Sequence, residues 1–94
     1  MMENFSIVIP LHNEEESIPI LAREIEESLQ AYLGKWECIW VDDGSTDKSW
    51  VELKKLKSNH RALKLSRNLG QSTAILAGID NAKFELIVTM DSDL

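Results

Sequence analysis

Apolar positions along this chain alternate between two spacings, one suited to buried strands and one to amphipathic helices. Phe5-Ser6-Ile7-Val8-Ile9 is a β-branched run that closes on Pro10, which predicts a buried strand ending in a loop. Asn13 then offers a capping side chain, Glu14-Glu15-Glu16 supply acids for a first helical turn, and Glu16 falls in capping-box position. Ile18, Leu21, Ala22, Ile25, Leu29 and Leu33 recur at helical spacing, and Gly34 predicts the stop. Trp36 to Val41 reads as a second strand and Asp42 to Asp47 as a polar loop. A helix follows with Trp50, Leu53 and Leu56 on one face and Lys54, Lys55 and Lys57 around the other. Ala62 to Leu65 is a short third strand, and Ser66 to Gln71 is a loop. A third helix begins at Ser72 or Thr73 and bears Ile75, Leu76 and Ile79. Leu86 to Met90 is a fourth strand ending at Asp91-Ser92-Asp93.

The order β-α-β-α-β-α-β predicts an α/β sandwich with right-handed crossovers and a largely parallel sheet. No repeat, low-complexity tract or linker interrupts it. A length of 94 residues allows one small domain, which buries only about 60–65% of its unfolded surface.

Composition narrows the function classes. Hydrophobic residues at 44% and charged residues at 28% exclude a disordered chain. A net charge of −6 with no basic run argues against a general nucleic-acid binder. The acid is concentrated: residues 1–47 hold 11 acidic and 2 basic side chains, residues 48–94 hold 5 and 8. An anionic ligand therefore needs a metal or local donors to offset the acid. The single cysteine, Cys38, cannot form an internal disulfide and lies in an apolar run, which predicts an inert buried thiol in a reducing compartment. The first apolar run is short and interrupted by Ser6 and Pro10, unlike a signal peptide, and no stretch reaches the roughly 18 apolar residues of a membrane span. The expectation is a soluble, cytoplasmic chain.

Polar residues collect at the C-terminal end of every predicted strand: His12, Asn13 and Glu14; Asp42 and Asp43; Arg67 and Asn68; Asp91 and Asp93. A parallel sheet brings those ends to one edge, where open α/β sheets bind ligands. Loops on that edge are polar in any α/β protein, but two carboxylate pairs favour a site over a solvated rim. Two acids spaced as in Asp91-Ser92-Asp93 can face one way on an extended chain and offer hard oxygens to Mg²⁺ or Mn²⁺; a helix-capping turn is the alternative. Such a metal bridges phosphates and stabilises a leaving diphosphate. Asp42 at a strand end can accept a hydrogen bond from a base N–H. Gly44 to Asp47 are explained by a turn and helix caps, whereas the adjacent Asp42 and Asp43 repel each other unless a ligand or donor offsets them. Helix polarity alone accounts for most of Glu14 to Glu16. His12 has no visible partner, which leaves a stacking or a surface role. Arg67 is placed either to meet a phosphate or as a plain surface arginine. Trp40 should face the same side of its strand as Asp42, with core packing its default role.

Together, Ser6 to Glu15, Val41 to Asp47 and Met90 to Leu94 resemble the N-terminal half of an inverting family-2 glycosyltransferase with the A-type nucleotide-sugar fold, a Rossmann-like three-layer sandwich. Leu65 to Gln71 with Ala74 to Gly78 is similar to the polyprenyl-phosphate (undecaprenyl- or dolichyl-phosphate) branch, which builds cell-envelope glycans. The resemblance implies that residues 1–94 form the nucleotide-sugar-binding half of a catalytic domain, ending one residue after the D-x-D. It implies a UDP- or GDP-linked sugar donor, a lipid phosphate acceptor and a place at the cytoplasmic membrane face. Pro10, His12 and Glu14 are then expected to line the base and ribose pocket, with Trp40 beside them and Asp42 bonding the base. Asp91 and Asp93 are expected as the catalytic pair that holds the sugar-proximal phosphate and the metal, with Asp93 the direct ligand. His12 departs from the family, which usually has tyrosine there. Three rivals compete. A soluble glycan is a possible acceptor in place of the lipid. A non-catalytic nucleotide- or metal-binding module fits the same scaffold. An aspartate-based phosphatase would carry its D-x-D on the first strand, not the fourth. A nicotinamide-binding domain is disfavoured, because no G-x-G-x-x-G follows the first strand. An exposed edge on the fourth strand predicts self-association.

Overall fold

The computed structural model describes residues 2–93. Its elements run β1 (Phe5–Leu11), α1 (Ser17–Ser28), β2 (Trp36–Asp42), α2 (Ser49–Lys55), β3 (His60–Lys64), α3 (Gln71–Asp80) and β4 (Leu86–Thr89). The four strands form one sheet in the order β3-β2-β1-β4, and every pairing is parallel. The α/β class and the parallel sheet are as the sequence predicts.

Strand alternation sends side chains to two cores. Ile7, Ile9, Leu11, Cys38 and Trp40 pack under α1 and α2 with Ile18, Leu21, Ala22, Ile25 and Leu53. Val8, Ile39 and Val41 pack on the opposite face against Ala74 of α3. Cys38 is fully buried, and burial with the neighbouring Glu37 charge pushes its thiol far up, as expected of an inert thiol.

Local differences from the sequence reading have physical causes. Pro10 lies inside β1, not at its end. Met90 N–H donates to the Val8 carbonyl while Asp43 N–H donates to that of Leu11, so even-numbered residues turn their backbone polar groups toward β4. Because β4 pairs no further along than Val8↔Thr89, the missing N–H of Pro10 costs no ladder bond. Helix α1 begins at Ser17 with no acid in its first turn and no side-chain cap, so the predicted capping box does not form. Asn13 instead takes a left-handed φ of 55° and turns its side chain to the β2–α2 loop. The helix ends at Ser28, and Leu33 is 86% exposed. Tyr32 draws the chain back to β1, its ring edge-on to Phe5 and its hydroxyl donating to the Glu3 carbonyl.

Helix α3 buries Ala74 and Gly78, whereas Leu76 and Ile79 are exposed, contrary to the predicted apolar face. A Cβ at Gly78 would stand 2.4 Å from a Val8 methyl, so the helix lies on the sheet through its smallest residues. On the β4 edge Leu86 and Val88 are exposed.

At the N-terminal end of the sheet, Glu37 is buried and fully answered. Its Oε2 accepts from Ser6 Oγ and Lys83 N–H, both at 2.6 Å, and its Oε1 accepts from Arg61 Nε at 3.0 Å. Burial alone would raise its pKa; the donors outweigh it and hold the carboxyl below its ordinary value. Nearby, Trp40 Nε1–H donates to His60 Nδ1 at 2.9 Å. Because indole only donates, the His60 proton is on Nε2, which is 2.8 Å from Glu26.

Candidate functional site

In the order β3-β2-β1-β4 the chain reverses its direction of travel between β1 and β4, and such a switch point opens a crevice at the strand C-termini. A cleft of about 150 Å³ lies there, lined by Pro10, Leu11, His12, Asp43, Gln71, Asp91, Ser92 and Asp93. Four of the predicted site residues, Pro10, His12, Asp91 and Asp93, are thus brought together from the ends of β1 and β4.

Four others lie outside the cleft wall. Trp40 is fully buried among core residues and bonded to His60, so packing is its role here. Glu14 serves the loops through its backbone: its N–H donates to Ser49 Oγ at 2.8 Å, and its carbonyl accepts from Ser17 and Ile18. Arg67 is exposed on the β3–α3 loop. Asp42 is paired in register with the cleft residue Leu11 but is itself fully buried. Its Oδ1 accepts from Ser45 N–H at 2.9 Å, while its Oδ2 is the one buried side-chain polar atom without a partner among the described residues. A buried acceptor left unmet is costly, and a ligand donor is one way to relieve it.

The loops around the cleft are laced together. Asn13 Oδ1 accepts from the N–H groups of Thr46 (2.8 Å) and Asp47 (3.2 Å), and Asn13 N–H donates to Ser45 Oγ at 2.9 Å. Asp47 in turn accepts from Ser49 N–H and Glu15 N–H, and these bonds outweigh its slight burial and lower its pKa. His12 Nδ1 lies 2.9 Å from the Asp43 carbonyl and donates to it, and His12 Nε2 lies 3.4 Å from Asn13 Nδ2.

Asp43 and Gln71 are cleft residues that the sequence did not single out for roles. The signal for Asp43 was present in its repulsion with Asp42; Gln71 follows a glycine at a helix start and gave none.

No group of three His, Cys, Asp or Glu side chains gathers in metal-binding geometry among the described residues. Asp91 and Asp93 are exposed on the cleft, with Ser92 between them. Two hard carboxylates suit a divalent ion that completes its shell with water and ligand phosphates, the usual habit of Mg²⁺.

A parallel sheet with an acidic crevice at its switch point is a Rossmann-like α/β fold. The chain belongs to glycosyl transferase family 2, whose family model matches residues 6–94. It is 43% identical over 93 residues to dodecaprenyl-phosphate galacturonate synthase of Rhizobium johnstonii, covering 95% of this chain and 28% of that protein. It is 45% identical over 100 residues to undecaprenyl-phosphate 4-deoxy-4-formamido-L-arabinose transferase of Pectobacterium carotovorum, covering 99% of this chain and 30% of that protein. Among solved structures it is similar to glucosyl-3-phosphoglycerate synthase of Mycobacterium tuberculosis in complex with Mn²⁺, UDP and glucosyl-3-phosphoglycerate. There the TM-score is 0.77 with 27% identity over 98% of this chain and 34% of that one. The chain spans less than a third of the length of the curated relatives it matches. No helix among the described residues is long and apolar enough to cross a membrane.

Proposed function

We propose that this chain forms the nucleotide-sugar half of a glycosyltransferase that moves a sugar from a nucleoside diphosphate to a polyprenyl phosphate at the cytoplasmic face of a membrane. The observation that carries the reading is the cleft that joins Asp91 and Asp93 of the β4 end to Pro10 and His12 of the β1 end. The two polyprenyl-phosphate relatives support the acceptor class, and the Mn²⁺ and UDP bound to the glucosyl-3-phosphoglycerate synthase support the donor side.

In this reading Asp91 and Asp93 hold Mg²⁺ or Mn²⁺, with Asp93 the direct ligand. The ion, when bound, stabilises charge on the departing diphosphate. Pro10 and His12 border the base and ribose. Asp42 supplies the remaining acceptor, and a carboxylate can only accept. Uracil and guanine would meet it with a ring N–H, and adenine and cytosine with an exocyclic amine, so the expectation of UDP or GDP rests on the family and on the UDP bound to the glucosyl-3-phosphoglycerate synthase. A lipid phosphate oxygen attacks the anomeric carbon as the bond to the diphosphate oxygen breaks, with inversion. The attacking group is already an anion, so positioning and leaving-group stabilisation carry more of the catalysis than a general base.

Calorimetric titration of the chain with UDP, GDP, ADP and CDP, each with and without Mn²⁺, tests the donor site. The expected result is binding of UDP or GDP, tightened about tenfold or more by Mn²⁺. A folded chain that binds no diphosphate, or that binds ADP and CDP equally well, sinks the reading.

A further inference from the structure

Asp43 stands where three strand-end loops meet. Its N–H donates to the Leu11 carbonyl at 2.8 Å, and its own carbonyl accepts from His12 Nδ1 at 2.9 Å. Its carboxylate takes two consecutive backbone donors from the β3–α3 loop, Leu69 N–H on Oδ1 at 2.7 Å and Gly70 N–H on Oδ2 at 3.0 Å. Asp43 is 5% exposed, so these donors are what makes a carboxylate tolerable there.

The junction is built for this contact from both sides. Gly70 has φ +104° with open space around its Cβ position, so backbone angle and not room demands glycine there. Gly44, the residue after Asp43, has φ +70°, and a Cβ on it would lie 2.3 Å from the Asn68 nitrogen. The β2–α2 and β3–α3 loops are therefore pressed together at 43–44 and 67–70. Helix α3 starts at the next residue, Gln71, which lines the cleft with Pro10, Asp91 and Asp93 and has no cap from a side chain at Gly70.

We infer that Asp43 is a positioning residue of the donor cleft: it holds the start of α3 against β1 and β2 and so presents the Gln71 amide to the bound nucleotide-sugar. The inference rests on the donor-site reading above and adds two residues to it. Asp43 acts through the loop, and Gln71 is the contact.

Asp43→Asn tests it, because an amide keeps one acceptor and turns an N–H against a backbone N–H. Two quantities are read, amide hydrogen exchange by NMR and UDP or GDP affinity with Mn²⁺. Exchange at Leu69 and Gly70 should accelerate about tenfold or more while Ile39 and Val41 in β2 hold, and affinity should fall about tenfold. Gln71→Ala should lower affinity similarly without touching exchange at Leu69 and Gly70, and the double variant should lose little more than either single one. Gly70→Ala strains the same junction without altering Asp43 and should give the Asp43→Asn signature, which covers the case in which that variant does not fold. Lost affinity with unchanged exchange at Leu69 and Gly70 makes Asp43 a direct ligand contact and overturns the inference, as does unchanged affinity in Gln71→Ala. Failure of the unaltered chain to bind any diphosphate overturns the donor-site reading instead, and the exchange pattern still decides whether Asp43 holds the junction.

Discussion

Strand β2 carries one buried carboxylate near its start and another at its end. Glu37 is met by a hydroxyl, a backbone amide and a guanidinium, which together tie β1, β2, β3 and the turn before β4. Asp42 is met on one oxygen only, by the Ser45 amide, and its other oxygen is buried without a partner among the described residues. The N-terminal edge of the sheet thus closes its polar groups internally, whereas the C-terminal edge leaves acceptors open at Asp42 and exposes Asp91 and Asp93. Evenly satisfied charge stabilises a fold. Charge left open on the edge where α/β sheets take ligands is what a binding function requires.

The comparison breaks most visibly at its satisfied end. Glu37→Ala strands three donors and should lower the unfolding free energy by about 3 kcal/mol. Chemical denaturation measures this, and nucleotide affinity of the folded fraction should not move. Next come the open carboxylates. Asp42→Asn should cost roughly ten- to a hundredfold in diphosphate affinity with or without metal, yet leave stability unchanged or slightly raised. Asp93→Asn should remove mainly the tightening by Mn²⁺. Equal, metal-independent losses in both variants contradict these roles.

The smallest effect is in acid. Glu37 and Asp47 have folded pKa values below their ordinary ones. Their contribution to stability is therefore complete above the unfolded carboxylate range and is lost as pH falls through the lowered folded values. Thermal midpoints measured down through that range should fall, and Glu37→Ala should flatten the decline.

The alternation of elements was legible because β-branched runs and helical spacings are local signals. The edge that carries the cleft was legible too, since polar clusters at strand ends share one edge in any parallel sheet, although only Pro10, His12, Asp91 and Asp93 of the expected residues line it. What escaped was set by partners distant in sequence. Asn13 looks like a helix cap, and nothing local reveals that its side chain binds the Thr46 and Asp47 amides. Hydrophobicity ranks Leu76 and Ile79 above Ala74 and Gly78, but close approach to Val8 selects the small residues for the inner face. Asp42 and Asp43 look alike in sequence; only their partners tell them apart, the Ser45 amide for Asp42 and the Leu69 and Gly70 amides for Asp43.

The pairing of β4 with β1 has a kinetic consequence. It sets Phe5 beside Leu86, a longer closure than those of β1–β2 and β2–β3. Long closures form late in folding, and β4 docks through only four register pairs on one side of the sheet. Asp91 and Asp93 are therefore brought to Pro10 and His12 through the longest closure among the described strands. A ligand bridging the cleft acts as a latch on that step, slowing the escape of β4 and raising the thermal midpoint in proportion to the logarithm of its concentration.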